Sequence, residues 1–241
     1  MNTNIICVWG SGGSGKTTVS VNLGMALAER NYIVGIISSK LYYGEMQGLF
    51  GKRIENEKGL YTAISNGCNT KNTFVPVTQK ANLFILSVPN SFDAMLLSAI
   101  SGDTARDLIY DAAMRFDYII IDGSEELNNP ISSIGMSMAS KIVTVHRVSV
   151  KDCSWQSSME NTVRLLHLAD KQLHVINSYD KTCDKVAFIS NIGIKFAFEL
   201  PYVQNAKILE NSGKLIYESK MGTREYKKII QRLTSQLMNG G

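Results

Sequence analysis

The stretch Trp9-Gly10-Ser11-Gly12-Gly13-Ser14-Gly15-Lys16-Thr17-Thr18 decides the fold. It satisfies the spacing G-x-x-x-x-G-K-[ST], between an apolar run at 4–9 (NIICVW) and a segment that places Val19, Leu23, Ala26 and Leu27 on one helical face. Glycines let the backbone turn tightly, so that successive N–H groups point at phosphate oxygens, and a helix beginning near Lys16 adds the positive end of its dipole. Residue chemistry then assigns roles: Lys16 reaches the outer phosphates of a nucleotide and the Thr17 hydroxyl ligates Mg²⁺. Gly10, Ser11, Gly12, Gly13, Ser14, Gly15 and Thr18 complete the binding loop.

Such a loop needs an acidic partner at the end of a buried strand. FDYIIIDGSEE (116–126) supplies it: the apolar residues Tyr118 to Ile121 carry Asp122 to a strand terminus, as the carboxylate on the Mg²⁺ side. Further runs read as strands are YIVGII (32–37), LFILSV (83–88), KIVTVH (141–146), LHVIN (173–177), VAFIS (186–190) and FAFEL (196–200). Amphipathic segments lie between them, among them Ala105, Leu108, Ile109 and Ala112, and Trp155, Met159, Val163 and Leu166. This alternation predicts an α/β fold, a doubly wound, mostly parallel sheet of seven to eight strands with helices on both faces. No repeat, low-complexity block or Pro-rich linker divides it, so residues 1–241 are expected to form a single P-loop nucleotide-binding domain. The least regular stretches, 40–58 and 127–130, follow strands at the sheet end where such folds bind ligands.

Composition narrows the class further. Hydrophobic residues make up 44% and charged residues 19%, which suits a folded globular chain rather than a disordered one. The excess of 25 basic over 21 acidic residues permits a polyanionic partner without requiring one. Cys7, Cys68, Cys153 and Cys183 are scattered, which favours reduced thiols over a disulfide framework. His146, His167 and His174 lack metal-ligand spacing. MNTNIICVWG has neither a basic leader nor a cleavable apolar segment, and no later run approaches the length of a membrane span, so a cytoplasmic location is expected.

With these residues in view, the chain resembles the ParA/MinD family of P-loop ATPases. Their deviant loop reads K-G-G-x-G-K-[ST], and SGGSGKT matches it at every position but the first. RNYIVGIISSKLYYGEMQGLFG is similar to the family's second strand and switch I, FDYIIIDGSEE to its Walker B and switch II, and GLYTAISNG to a short helix between them. LHVIN resembles the strand ending in an adenine-reading asparagine, which makes Asn177 the adenine contact. LPYVQNAKILENSGKLI resembles the segment closing the base pocket, with Pro201 contributing backbone and shape. The resemblance implies ATP and Mg²⁺ as cofactors and a homodimer formed on ATP binding.

Two departures matter. The family's first loop residue is a lysine that reaches the partner's phosphates across the dimer, and here it is Ser11. Its switch I ends in D-x-D-P, with the second aspartate orienting the attacking water, where this chain has Ser38-Ser39-Lys40-Leu41. Lys40 thus stands where a catalytic carboxylate is expected, and can supply a cation near the γ-phosphate instead. Glu45, Glu125 and Glu126 are the carboxylates left nearby. A missing general base costs about 10²–10⁴ in rate and a missing charge-stabilising finger about 10³–10⁵. Binding suffers far less, because the loop contacts the triphosphate in the ground state too. The expectation is an ATP-binding positioning or partition factor with weak or absent ATPase. The alternative is a pseudo-ATPase adaptor in a pilus or secretion assembly, since loss of the loop lysine resembles the CpaE/TadZ-like branch. A metabolic P-loop enzyme ranks last.

Partners follow from the same comparison. A protein partner in a localisation or assembly system is expected. Lys214, Lys220, Arg224, Lys227, Lys228 and Arg232 form a basic stretch that makes non-specific DNA a candidate partner. Ile229, Ile230, Leu233 and Leu237 share one face of the last helix, which is expected to pack on the core rather than anchor in a membrane.

Overall fold

A strand buried on both faces reads as a continuous apolar run, and β1 (Asn4–Gly10) is such a strand, buried from Ile5 onward. The structure, a computed structural model, describes residues 4–77, 82–93, 95, 100–220 and 222–238. After β1 come α1 (Lys16–Ala28), β2 (Val34–Ser38), α2 (Met46–Leu49), α3 (Gly59–Ser65), β3 (Val75–Pro76), β4 (Leu83–Leu86) and α4 (Gly102–Ala113). The chain continues through β5 (Tyr118–Asp122), α5 (Pro130–Met138), β6 (Lys141–His146), α6 (Val150–Leu165), β7 (Gln172–Tyr179), α7 (Lys185–Ile192), β8 (Phe198–Pro201), α8 (Ala206–Asn211) and α9 (Arg224–Met238).

Among the described residues, eight strands form one sheet in the order β3-β4-β2-β5-β1-β6-β7-β8. Only β3 and β4 pair antiparallel; every other neighbouring pair is parallel. Each face carries its own apolar cluster. Leu23 and Leu27 of α1 and Ile230 and Leu233 of α9 cover one face, while Leu108 and Ile109 of α4, Ile131 of α5 and Val163 of α6 cover the other. The expected doubly wound α/β architecture is therefore present.

One strand assignment is corrected. Residues 186–190 lie in the helix α7, not in a strand: the Asp184 side chain accepts from the Ala187 N–H, and Gly193 closes the helix in the left-handed region at φ 67°. The run is apolar in composition, yet it buries Phe188 alone and leaves Val186 78% exposed, so an unbroken apolar run here does not report a buried strand. The final helix packs as expected. Ile230, Leu233 and Leu237 are buried, Ile229 partly, and α9 lies against α1 and β8. Burying each such side chain is worth about 1.5–3 kcal/mol relative to leaving it in water. Among the described residues, no helix is long and apolar enough to cross a membrane. The basic stretch falls partly outside the described residues, at 221.

Strand order assembles the site. β2, β5 and β1 are neighbours, and in register Asp122 faces both Ser38 of β2 and Val8 of β1. The loop after β1, the turn after β2 and the carboxylate ending β5 therefore open at one end of the sheet.

Candidate phosphate-binding site

The loop can form only with glycine at two positions. Gly10 has φ 150°, and a Cβ there would lie 2.2 Å from the Val145 carbonyl oxygen; Gly15 has φ 93°, and its Cβ would meet Asn177 Nδ2 at 2.1 Å. Gly15 is also the residue before α1, so that helix begins without a side-chain cap and without an acidic residue in its first turn. Its leading N–H groups and dipole are left for an anion. The Ser14 hydroxyl, buried in the same loop, has no hydrogen-bond partner among the described residues.

Lys16 is buried, donating to the Ser11 carbonyl oxygen at 2.8 Å and to Glu125 Oε2 at 3.4 Å. Burial lowers its pKa, and Glu125 and Asp122 oppose that shift. For Glu125 burial acts the other way, but its own backbone N–H and the Lys16 ammonium outweigh it and hold the carboxyl below the usual range. Asp122 is buried, and burial pushes it up to about 6 even though the Ser20 and Thr17 hydroxyls donate to it, each at 2.9 Å.

The Thr17 hydroxyl lies between two carboxylates, Asp122 Oδ2 at 2.9 Å and Glu45 Oε1 at 3.1 Å. One hydroxyl proton serves only one of them at a time. This all-oxygen donor set is what a hard divalent cation such as Mg²⁺ takes, so Thr17 and Asp122 fit the expected metal role, with Glu45 beside them. A cavity of about 530 Å³ opens above these groups, lined by Gly13, Lys16, Thr17, Lys40, Glu45 and Glu125 among others. That is a volume suited to a small-molecule ligand.

Lys40 lines this cavity, and its ammonium is engaged. It donates to Glu45 Oε1 and to the Tyr43 hydroxyl. Burial works against its charge, yet Glu45 outweighs burial and holds the pKa above the ordinary lysine value. The Glu45 carboxylate thus bridges Thr17 and Lys40.

On the other side of the loop a second cavity, of about 260 Å³, is lined by Ser14, Thr18, Asn177, Pro201, Tyr202 and Glu210 among others. Asn177 and Pro201 therefore line the same cavity. Part of the Asn177 amide is already used: Nδ2 donates to the Ser14 carbonyl at 2.9 Å. Thr18 donates to Glu210 Oε1 at 2.6 Å, which ties α1 to α8. Ser11 differs from the rest of the loop. It is fully buried and its hydroxyl donates to Asp152 Oδ1 at 2.9 Å, so it contributes backbone to the loop while its side chain faces α6.

Against known proteins, a family model described as an AAA domain matches residues 3–175. The chain belongs to this AAA-domain family. Among curated relatives, the septum site-determining protein MinD of Synechocystis sp. is 31% identical over 125 residues, 51% of this chain and 45% of that protein. The chain spans about half the length of the curated relatives it matches. The solved structure of MinD complexed with Mg-ADP from Pyrococcus horikoshii superposes with a TM-score of 0.81 at 19% identity, covering 99% of this chain and 97% of that one. A ParA family ATPase from Chlorobium tepidum gives 0.81 at 16%, covering 97% and 99%. The AAA-domain chain thus has the fold of the ParA/MinD-type P-loop ATPases.

Sequence reasoning did not find four of this AAA-domain protein's site contacts. Ser20 holds Asp122, Glu45 bridges Thr17 and Lys40, Asp152 holds Ser11, and the Lys151 ammonium donates to the Gly12 carbonyl. Ser149 and Asp152 do carry the S-x-x-D signature of a helix start, and the Ser149 side chain caps α6. That signature predicts a cap and says nothing about the loop at residues 10–17.

Proposed function

We propose that the chain is an ATP- and Mg²⁺-binding positioning factor that dimerises on ATP and hydrolyses it slowly or not at all. One observation carries the reading: Lys16, Thr17 and Asp122 converge at an uncapped helix N-terminus, while the switch I position beside them holds a lysine ion-paired to Glu45. Bound ATP would lie with its outer phosphates on the 10–17 backbone and Lys16, and with its base near Asn177 and Pro201. Mg²⁺ would lie on Thr17 and Asp122, where it would neutralise charge on the phosphates. The chain's own groups favour holding over cleaving. No aspartate ends β2, and the Glu45 carboxylate is engaged by the Lys40 ammonium and the Thr17 hydroxyl, which leaves it less free to position a water.

A role in positioning, with a protein partner, is supported by the Synechocystis relative, which its name describes as septum site-determining. A cytoplasmic location accords with that role. The adaptor reading, in a pilus or secretion assembly of the CpaE/TadZ-like kind, draws on Ser11, whose buried hydroxyl leaves the loop without a projecting cation. DNA is the weaker partner. Lys227 is engaged with Glu29 and lies over the Tyr217 ring, and Arg232 lies over Phe198, which leaves less of the basic stretch for phosphates.

The test is calorimetry with Mg-ATP together with sedimentation of the purified chain with and without nucleotide. Tight binding with a shift from monomer to dimer supports the ATP-switched factor. Binding with a fixed oligomeric state supports the adaptor, and no binding overturns the nucleotide reading.

A further inference from the structure

Loss of the loop lysine leaves Lys16 as the sole cation within residues 9–18, yet the fold brings a second one back. Lys151, the second residue of α6, donates its ammonium to the Gly12 carbonyl. Its neighbour Asp152 fixes that position: buried, it accepts from the Ser11 and Ser149 hydroxyls at 2.9 and 2.7 Å and from the Arg147 N–H at 3.2 Å. The first turn of α6 is therefore pinned to residue 11, while the Lys151 side chain itself remains exposed. An ammonium has three donors, and a single carbonyl occupies one.

An anion already marks the position between the two lysines. Glu125 Oε2 is 3.4 Å from Lys16 Nζ. Glu125 Oε1 and Lys151 Nζ both come within 3.0 Å of the point where a Cβ on Gly12 would project. A carboxylate thus sits beside the loop with one ammonium bonded to it and another close by, and a phosphate group carries the same oxygen chemistry with more charge.

We propose that Lys151 is the second phosphate-side cation of this site: a terminal phosphate on the chain's own loop displaces the Glu125 carboxylate and is held by Lys16 and Lys151 together. This rests on the nucleotide-binding reading and goes beyond it, because it assigns a phosphate contact to α6 and a placeholder role to Glu125. Gly12 suits the arrangement, since any side chain there would meet both Glu125 and Lys151.

The experiment titrates ATP and ADP separately, by calorimetry in Mg²⁺, into the parent chain, Lys151→Ala, Lys151→Arg and Glu125→Gln, with melting temperatures taken without nucleotide to verify folding. Lys151→Ala is expected to lose about tenfold in ATP affinity and clearly less in ADP affinity, the scale of one charge-assisted hydrogen bond, and Lys151→Arg to retain most of it. Glu125→Gln is expected to bind ATP several-fold more tightly, because the competing carboxylate is gone. Unchanged ATP and ADP affinities in a folded Lys151→Ala overturn the proposal alone, whereas a parent chain that binds neither nucleotide overturns the underlying reading with it. A loss seen only at concentrations where the chain dimerises moves the lysine to a second copy's phosphate and overturns the own-loop assignment.

Discussion

The ends of β1 and β5 and the end of β2 face the same cavity with opposite chemistry. At the first two stand an uncapped helix start, Lys16, the Thr17 hydroxyl and an Asp122 carboxylate steadied by Ser20, the groups to which the proposed function gives the triphosphate and its metal. At the third, the chain carries Lys40 and pairs it with Glu45, so a cation stands where the resembled family has a water-orienting carboxylate. The difference teaches that ground-state binding and bond cleavage are built by separate residues on neighbouring strands. On the proposed reading, a change at one strand end is expected to slow hydrolysis while leaving affinity largely intact.

The largest expected effect lies in the binding half. Lys16→Ala should weaken ATP binding by at least about a hundredfold, since it removes a buried ammonium from the phosphates and leaves Glu125 without its partner. Calorimetry reads this directly, and retained affinity would mean that the 10–17 loop is not the site.

Next comes the switch half. Lys40→Asp restores a carboxylate at the end of β2 and frees Glu45, and single-turnover hydrolysis should rise by at least about tenfold, the low end of general-base effects. Ser11→Lys should do less, because residue 11 is fully buried against Asp152 and a lysine there must first break that contact. Activation by Ser11→Lys and none by Lys40→Asp would show that the assignment of switch I at 38–41 is wrong.

A smaller effect concerns Asp122 itself. Burial raises its pKa from 3.8 to about 6, so the folded chain binds this proton more tightly than the unfolded chain does. The contribution to stability is then fully present below pH 3.8 and is lost as pH rises through about 6. Without nucleotide or metal, Asp122→Asn should therefore melt a few degrees above the parent at pH 8, with the gain shrinking toward pH 5. Thermal melts across that range check the sign, and a variant less stable at pH 8 would show that the Ser20 and Thr17 bonds outweigh burial.

The smallest effect belongs to the basic stretch. If DNA binds there, Lys227→Glu with Lys228→Glu should weaken it alike for every sequence, with affinity falling steeply between about 50 and 200 mM salt. A salt-insensitive preference for one site would contradict a purely electrostatic contact.

Legibility in the sequence followed contact distance and element length. The phosphate loop is contiguous and its neighbours declare their periodicity, so Gly10 to Thr18 and Asp122 could be read before any fold was known. Strands β1 and β5 could be read for a related reason, since burial on both faces leaves uninterrupted apolar runs, and β6 shows the same pattern broken only at Thr144. β3 spans only Val75–Pro76, too short to show alternation. Residues 186–190 misled because a five-residue apolar run has no period of its own, although Asp184 and Gly193 carried the cap signals of a helix. The contacts of Ser11 with Asp152 and Gly12 with Lys151 join residues 141 and 139 positions apart, and nothing local to either end announces them.

The central claim, a site that holds ATP but does not readily cleave it, is tested most directly by a single-turnover measurement. The purified chain, in excess over radiolabelled ATP with Mg²⁺, is quenched at intervals and the nucleotide bound to it is identified. The account predicts stoichiometric capture of ATP that depends on Lys16, and bound nucleotide recovered mainly as intact ATP after several minutes. Rapid conversion of bound ATP to ADP and phosphate by the parent chain would contradict it.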